Sequence, residues 1–208
     1  MPENNKKPIE TIIFDWAGIF CVPGEPLAHP KFRENAATIE ELSARTSPIQ
    51  IPYYRGEISD EKFWNQMIRE FDLRDTTPKD LGDAYRASYK IYPGMLELAN
   101  SLRKDYKVFL LSNLTEIMMH DIKEKHHVEK YFDGLVFSNE VGLIKPEPEI
   151  YLLTIQRADS SPELTLFVDD SHGNVSAAEK LGIRAFQFEG GNTEEMKRRL
   201  SEFGVKVP

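Results

Sequence analysis

The chain has few cysteines, no excess of basic charge and no long apolar run, and each of these features argues against a particular class of protein. Its 208 residues include one cysteine, Cys21, so no disulfide can form within the chain. Cys21 lies among apolar residues, which favours a packed thiol over a reactive one. The formal net charge is -8, and an acidic surface argues against non-specific binding of nucleic acid.

The apolar residues are spread over short segments. None approaches the roughly 18 consecutive apolar residues of a membrane-spanning helix, and the first ten residues lack the apolar region of a secretory signal. We therefore expect a cytoplasmic protein that binds neither membranes nor nucleic acid. A hydrophobic content of 40% is enough to build a buried core. The sequence indicates no particular oligomeric state.

Five short segments rich in Ile, Val, Leu and Phe are typical of strands in a parallel sheet that is covered on both faces. They cover residues 11–15, 107–113, 134–138, 164–170 and 183–188. Helix-like segments follow them at 94–104, 115–125, 147–158, 173–182 and 192–203. This alternation predicts an α/β fold with a doubly wound parallel sheet.

One long stretch after the first strand breaks the alternation. It contains no convincing strand but three helix-like segments, at 31–45, 60–72 and 78–90. We interpret it as a small helical domain inserted after strand one, over the carboxyl edge of the sheet, where such folds bind ligands. The predicted domains are an α/β core formed by residues 1–20 and 93–208, and a helical insertion formed by residues 21–92.

Acidic residues close two of the predicted strands. Asp15 ends the first strand, which fits a nucleophilic carboxylate or a simple strand-end cap. Asp169 and Asp170 end the fourth, and adjacent carboxylates repel one another unless a cation relieves them. Mg²⁺ is the natural partner of such oxygen ligands, although a solvated acidic turn has the same composition. Asn174, four residues further on, is placed to support a metal site.

Two further segments carry groups that bind phosphate. Ser112 and Asn113 end the second strand, and a hydroxyl and an amide can hold a phosphate oxygen by hydrogen bonds. Lys145 lies in a loop stiffened by Pro146 and Pro148, and a fixed Lys would neutralise phosphate charge. Taken singly, each has an ordinary interpretation, because Ser-Asn is a common turn and an isolated Lys is usually solvated.

The order of these segments raises their significance. FDWAG, LSN, VGLIKPEPEIY and FVDDSHGN resemble the four motifs of the haloacid-dehalogenase-like superfamily. The resemblance extends from strand one to about residue 188 and includes the helical insertion, which resembles that superfamily's cap domain. The segment RGEISDEKFW at 55–64 and the Asp-Asp pair resemble most closely the sugar-phosphate phosphatases similar to the amino-terminal domain of soluble epoxide hydrolase.

The resemblance implies a Mg²⁺-dependent hydrolase of a small phosphorylated metabolite, such as a sugar phosphate. It implies that Asp15 attacks phosphorus, forms an aspartyl-phosphate intermediate and binds Mg²⁺. The other metal ligands would be the backbone carbonyl of Ala17 and the carboxylate of Asp170, and Asp169 and Asn174 would lie in supporting positions.

The resemblance also implies which residues hold the substrate. Ser112, Asn113 and Lys145 would hold the transferring phosphoryl group, mostly by positioning and charge stabilisation. For the remainder of the substrate we predict contacts from Tyr54 and Arg55, in a loop before a helix. Neighbouring Tyr53 is an equally good candidate, although both tyrosines also suit packing between cap and core.

Ala17 departs from the pattern. Phosphatases of the superfamily usually carry a second Asp there, which protonates the leaving group and then activates water; such help accelerates reactions by about 10²–10⁴-fold. Three explanations stay open: a slow phosphatase, a hydrolase of another bond, or a protein that binds ligand without turnover. Retention of Asp15, Ser112, Lys145 and Asp170 favours an enzyme.

Two groups of enzymes within the superfamily also lack the second Asp at the position of Ala17. DWAG resembles phosphonoacetaldehyde hydrolases, which use a cap lysine as a Schiff base, and Lys62 is the candidate here, although its helix pattern indicates a solvated face. Haloacid dehalogenases need no metal, so the retained pair Asp169 and Asp170 argues against them. His172, in the fourth motif, has no assigned role.

Overall fold

The protein is described by a computed structural model over residues 7–22, 32 and 39–207. Its strands, in chain order, are β1 (Thr11–Phe14), β2 (Cys21–Val22), β3 (Lys90–Ile91), β4 (Lys107–Ser112), β5 (Gly134–Phe137), β6 (Thr165–Asp169) and β7 (Arg184–Gln187). Five of them form a parallel sheet in the order β5-β4-β1-β6-β7. The predicted α/β class and parallel sheet are confirmed.

The centre of this sheet is apolar on both faces. Every residue of β1 is buried, and Ile13 pairs with Phe109 on one side and with Phe167 on the other. Continuous apolar strands arise because helices cover both faces. Each of the five predicted strands overlaps an observed strand and extends one residue beyond it at one or both ends.

The described helices are α1 (Ile39–Tyr54), α2 (Asp60–Glu70), α3 (Pro78–Ser88), α4 (Met95–Leu102), α5 (Glu116–His126), α6 (Ser138–Val141), α7 (Pro148–Arg157), α8 (His172–Lys180) and α9 (Thr193–Glu202). Several begin where the sequence places a cap. Thr77 and Asp80 form a capping box at the start of α3, and Thr115 Oγ1 accepts a hydrogen bond from the N–H of Met118 at the start of α5.

The beginning of the insertion differs from the prediction. We predicted a helix over 31–45, whereas α1 continues to Tyr54 through Pro48 and Pro52. Proline usually ends or kinks a helix, so the sequence pattern concealed the second half of α1. Residues 31 and 33–38 lie outside the described residues. Tyr53 and Tyr54 therefore lie in the last turn of α1 and not in a loop, and that part of the prediction was wrong.

A short antiparallel ladder joins the two ends of the insertion. Cys21 pairs with Ile91 and Val22 with Lys90, so the chain leaves and re-enters the core at neighbouring positions. The sequence did not reveal this ladder, because two residues are too few to show a period of two.

The insertion packs closely on the core. Within the insertion, Tyr53 of α1 stacks on Phe63 of α2 with ring centroids 4.1 Å apart. One continuous apolar cluster contains Phe63 from α2 and Phe14 from β1. At the contact of α3 with α5, a Cβ on Gly82 would lie only 3.2 Å from Cδ1 of Ile117. The division into two domains stays a prediction.

No helix in the ranges that the structure describes is both long and apolar enough to cross a membrane.

Candidate active site

Asp15 lies directly after β1, at the carboxyl edge of the sheet. Its backbone N–H donates to the carbonyl of Val168 at 2.9 Å, which continues the pairing of β1 with β6. Its Oδ1 accepts a hydrogen bond from Ser112 Oγ at 2.7 Å and lies 2.7 Å from Lys145 Nζ. All three side chains are buried. Ser112 and Lys145 thus hold one oxygen, while Oδ2 accepts no hydrogen bond from the described residues.

Lys145 is held both by its side-chain ammonium group and by its backbone. Its Nζ lies 2.6 Å from Asp169 Oδ2. Its backbone is held by the side chain of Asn113, which donates to the Lys145 carbonyl at 2.9 Å and accepts from the Lys145 N–H at 2.8 Å. Asn113 therefore positions the loop that carries Lys145. Its predicted contact with a phosphoryl group stays a prediction.

Asp169 is buried and fully bonded. Besides Lys145, its carboxylate accepts hydrogen bonds from the N–H of Ser171 at 2.8 Å and from Asn174 Nδ2 at 2.9 and 3.1 Å. Asn174 lies in the first turn of α8, so the helix that follows β6 supplies the group that orients Asp169. Support of a metal site by Asn174 stays a prediction.

Asp170 differs from its neighbour. Its half-buried carboxylate accepts no hydrogen bond from another residue in the described part of the chain, although Gln187 Nε2 donates to its backbone carbonyl at 2.8 Å. Gly18 lies against it with φ at 74°, and a Cβ there would be 2.3 Å from Asp170 Oδ2. Only glycine fits between the turn after β1 and this carboxylate.

The charges of the site are unbalanced. Burial and the charge of Asp169 raise the pKa of Asp15, although Lys145 opposes them. Burial and the charges of Asp15 and Asp169 raise the pKa of Asp170 to about 6. Burial alone would lower the pKa of Lys145, but the two carboxylates it contacts raise it. Three carboxylates face one ammonium group, so further positive charge would stabilise their ionised forms.

The same carboxylates have the spacing of a cation site. One oxygen each from Asp15, Asp169 and Asp170 lie within 4.8 Å of one another. Ligands on opposite sides of Mg²⁺ lie about 4.2 Å apart, because each Mg–O bond is about 2.1 Å long, so a small inward movement would suit this ion. Asp170 has the carboxylate free for this purpose, whereas the carboxylate of Asp169 is already bonded.

Ala17 and Tyr54 both lie near Asp15, Ala17 along the chain and Tyr54 through its electrostatic interaction with that carboxylate. Ala17 is half-buried in the turn between Asp15 and Gly18; metal contact through its carbonyl stays a prediction. Tyr54 is half-buried at the end of α1. Burial and the charge of Asp15 raise its pKa, so its phenol remains protonated at neutral pH and lies within the electrostatic reach of Asp15.

The remaining candidate residues are bonded to other groups or exposed. The guanidinium of Arg55 donates to the carbonyl of Gly142 at 2.9 Å and pairs with Glu147, and its contact with substrate stays a prediction. Lys62 and His172 are exposed. The pairing of Glu147 with Arg55 was not predicted, although Glu147 lies in the segment VGLIKPEPEIY. The two residues are 92 positions apart, and a pairing over that distance leaves no periodic pattern in the sequence.

Comparison with known proteins identifies a family that the sequence matches. The sequence model of the haloacid dehalogenase-like hydrolases matches residues 9–182. A phosphorylated carbohydrates phosphatase of Thermotoga maritima is 35% identical over 188 residues, which cover 84% of this chain and 82% of that protein. A D-ribitol-5-phosphate phosphatase of Bacteroides thetaiotaomicron is 29% identical over 197 residues, which cover 88% of this chain and 93% of that protein.

A solved structure agrees with the fold over almost the whole chain. It is a HAD family enzyme of Bacteroides thetaiotaomicron in complex with magnesium and inorganic phosphate. The TM-score is 0.77 and the sequences are 25% identical, with 90% of this chain and 98% of the other covered.

Proposed function

The chain belongs to the haloacid dehalogenase-like hydrolase family, and from that premise we propose that it is a Mg²⁺-dependent phosphatase of a small phosphorylated metabolite. The observation that carries the proposal is the contact between Asp15, Ser112 and Lys145 beside a second carboxylate, Asp170, that has no partner of its own in the described residues. Such a site holds one carboxylate ready to attack and another ready to bind a cation.

The donor set fits Mg²⁺. We propose that Asp15 and Asp170 bind it directly, together with the carbonyl of Ala17, and that Asp169 lies beside them as a charged neighbour held by Lys145 and Asn174. Mg²⁺ prefers oxygen ligands and often takes only one or two carboxylates from the protein. When bound, it supplies positive charge to the oxygens of the phosphoryl group.

The protein's own residues then have separate tasks. Asp15 attacks phosphorus through the oxygen that Ser112 and Lys145 leave free, and the bond from phosphorus to the leaving oxygen breaks. Lys145 has three N–H donors, so it can bond the transferring phosphoryl group while it keeps the attacking carboxylate in line with the bond that breaks. Ser112 has one hydroxyl proton, which it donates either to Asp15 or to the phosphoryl group. Water then hydrolyses the aspartyl phosphate, which releases phosphate and restores Asp15.

Ala17 limits this reaction at two steps. It supplies neither a proton to the leaving oxygen nor a base to the attacking water, so the enzyme is a slow phosphatase for substrates with poor leaving groups. A phosphonate-cleaving reaction through a Schiff base receives little support, because such a lysine must be desolvated and Lys62 is exposed.

The substrate class follows from the relatives and from the insertion. Two similar proteins are phosphatases of phosphorylated carbohydrates and of D-ribitol 5-phosphate, and we propose a phosphorylated sugar or polyol here. The helices α1 to α3 would act as the cap that selects it, with the core formed by residues 1–20 and 93–208 and the cap by 21–92. Tyr54, at the end of α1, is the proposed contact with the non-reacting part of the substrate.

The test is phosphate release from an aryl phosphate and from a panel of sugar and polyol phosphates, with Mg²⁺ and with chelator. We expect Mg²⁺-dependent turnover that Asp15→Asn abolishes. Asp159→Asn, an exposed carboxylate remote from the site, serves as the control and should retain activity. If no ester is hydrolysed, or if Asp15→Asn hydrolyses it as fast as the wild type, the proposal is wrong and a binding role without turnover takes its place.

A further inference from the structure

We propose that Arg55 is a positioning residue: from the helical insertion, it fixes the loop that presents Lys145 to the site. The inference rests on the proposed function in one respect only, that Lys145 takes part in turnover. It concerns a contact between the insertion and the core, and it gives Arg55 a task other than the substrate contact expected from its sequence position.

The first observation is the pair of contacts that Arg55 makes. It follows α1 directly and reaches across to the segment between α6 and α7, where it donates to the carbonyl of Gly142 at 2.9 Å and pairs with Glu147. These two partners lie on either side of Lys145 in sequence. A planar guanidinium can bond two acceptors at once in a fixed geometry, so Arg55 holds both ends of the short loop.

The second observation is that Glu147 links Arg55 to the backbone next to Lys145. Its other carboxylate oxygen accepts a hydrogen bond from the N–H of Ile144 at 3.3 Å. Ile144 precedes Lys145, whose backbone is bonded on its other side by Asn113. The Lys145 backbone is therefore held from the sheet by Asn113 and from the insertion by Arg55 through Glu147.

The third observation is a close backbone approach beside this contact. Gly56 has φ at 71°, and a Cβ there would lie 2.3 Å from the backbone oxygen of Asn139 in α6. The end of α1 thus touches the core immediately before the loop that carries Lys145. Contact at both places means that a displacement of the insertion here would be transmitted to that loop.

A positioning role and a substrate contact predict different kinetics. If Arg55 acts through Glu147, then Arg55→Gln and Glu147→Gln should each lower kcat, by up to about 10²-fold, because small displacements of catalytic groups cost that much. KM should change little. The double variant should lose no more than the worse single variant, since residues that act as one unit are not additive.

The matched control is Arg103→Gln. Arg103 also bonds one carboxylate, Asp133, at 2.9 Å and one backbone carbonyl, that of Lys130, at 2.7 Å, and its exposure is similar to that of Arg55. It lies after α4 and makes no contact with the Lys145 loop among the described residues. We expect its kcat and KM to equal those of the wild type.

Hydrogen exchange gives a readout that does not depend on activity. The backbone amides of residues 142–145 and 147 should exchange faster in Arg55→Gln and Glu147→Gln than in the wild type or in Arg103→Gln. If the wild type hydrolyses no phosphate ester, the proposed function fails, while this measurement still decides whether Arg55 holds the loop.

Several results would overturn the inference. A rise in KM at unchanged kcat in Arg55→Gln alone would identify a substrate contact. Additive losses in the double variant would show that Arg55 and Glu147 act separately. Unchanged exchange of the amides of residues 142–145 and 147 would show that the loop keeps its position without Arg55.

Discussion

The two sides of the proposed active site differ in how completely their polar groups are bonded. On the bonded side, the Lys145 ammonium pairs with Asp15 and Asp169. Hydrogen bonds with Asn113 hold the backbone of Lys145, and Asn174 donates hydrogen bonds to the carboxylate of Asp169. On the open side, the carboxylate of Asp170 has no such partner in the described residues, and Gly18 leaves just enough room for it.

This difference separates two requirements of phosphoryl transfer. The bonded side fixes charges in place before a substrate arrives, so those groups need no reorganisation during reaction. The open side retains unpaired negative charge, which suits a cation that arrives with or before the substrate. Ala17 directly precedes Gly18, which lies against Asp170, so the missing proton donor belongs to the turn that borders the open side.

The largest expected effect concerns the bonded side. Lys145→Met would leave Asp15 and Asp169 buried without their cation, so we expect the free energy of unfolding to fall by about 3–5 kcal/mol. Urea denaturation of the metal-free protein measures it. Asp170→Asn is the control from the open side and should leave the free energy of unfolding unchanged or higher, since that carboxylate accepts no hydrogen bond. Equal losses in both variants would contradict the distinction between the two sides.

The next effect concerns the missing proton donor. Ala17→Asp should raise turnover of an alkyl phosphate by up to about 10²–10⁴-fold, and that of an aryl phosphate much less, because only the alkyl leaving group needs a proton. Steady-state kinetics with both substrates measures the ratio. Equal gains would show that the open side does not lack leaving-group protonation, and loss of all activity would indicate a reaction that requires a small residue at this position.

A smaller effect should follow from Asn174→Ala. This change removes the amide that orients Asp169 but leaves its ion pair with Lys145. We expect Mg²⁺ affinity to fall by about 10–100-fold, the usual effect of removing a group that orients a metal site. Titration calorimetry measures the affinity. An unchanged affinity would mean that the geometry of Asp169 does not matter to the cation.

The smallest predicted effect concerns Gly18. Ala at a left-handed position costs roughly 1–2 kcal/mol, and its Cβ would displace Asp170. We therefore expect Gly18→Ala to lower both the free energy of unfolding and the affinity for Mg²⁺. Gly204→Ala is the matched control, because Gly204 also has positive φ but has no atom within 4 Å of an added Cβ. If the control lost as much Mg²⁺ affinity, contact with Asp170 would not be the cause.

The residues of the bonded side were easier to predict from the sequence than the hydrogen bonds that join them. The buried strands are apolar in their centres, so their ends, and with them Asp15 and Ser112, could be located to within a residue. Parallel strands bring such ends to one edge, which predicted that these residues would meet Asp170. The place of Lys145 beside them was predicted from the motif resemblance. The sequence did not predict that Asn113 would bond the backbone of Lys145, because both groups lie in loops without a period.

The insertion was harder to predict because its local signals conflict. Pro48 and Pro52 lie inside α1 against the usual preference of helix interiors, so local sequence signals alone did not predict the length of this helix. The pairing of Arg55 with Glu147 joins two segments that are distant in sequence, and side-chain pairing of this kind is specified only by the folded structure.

The most direct test of the account is the detection of a covalent intermediate on Asp15. With Ala17 in place, attack of water on the aspartyl phosphate lacks a base, so the intermediate should accumulate when an aryl phosphate is mixed with enzyme and Mg²⁺. We predict a burst of released phenol equal to the number of sites, and a phosphoryl group on Asp15 by mass spectrometry of the acid-quenched protein. Turnover without a burst and without an adduct, or an adduct on another residue, would contradict the account.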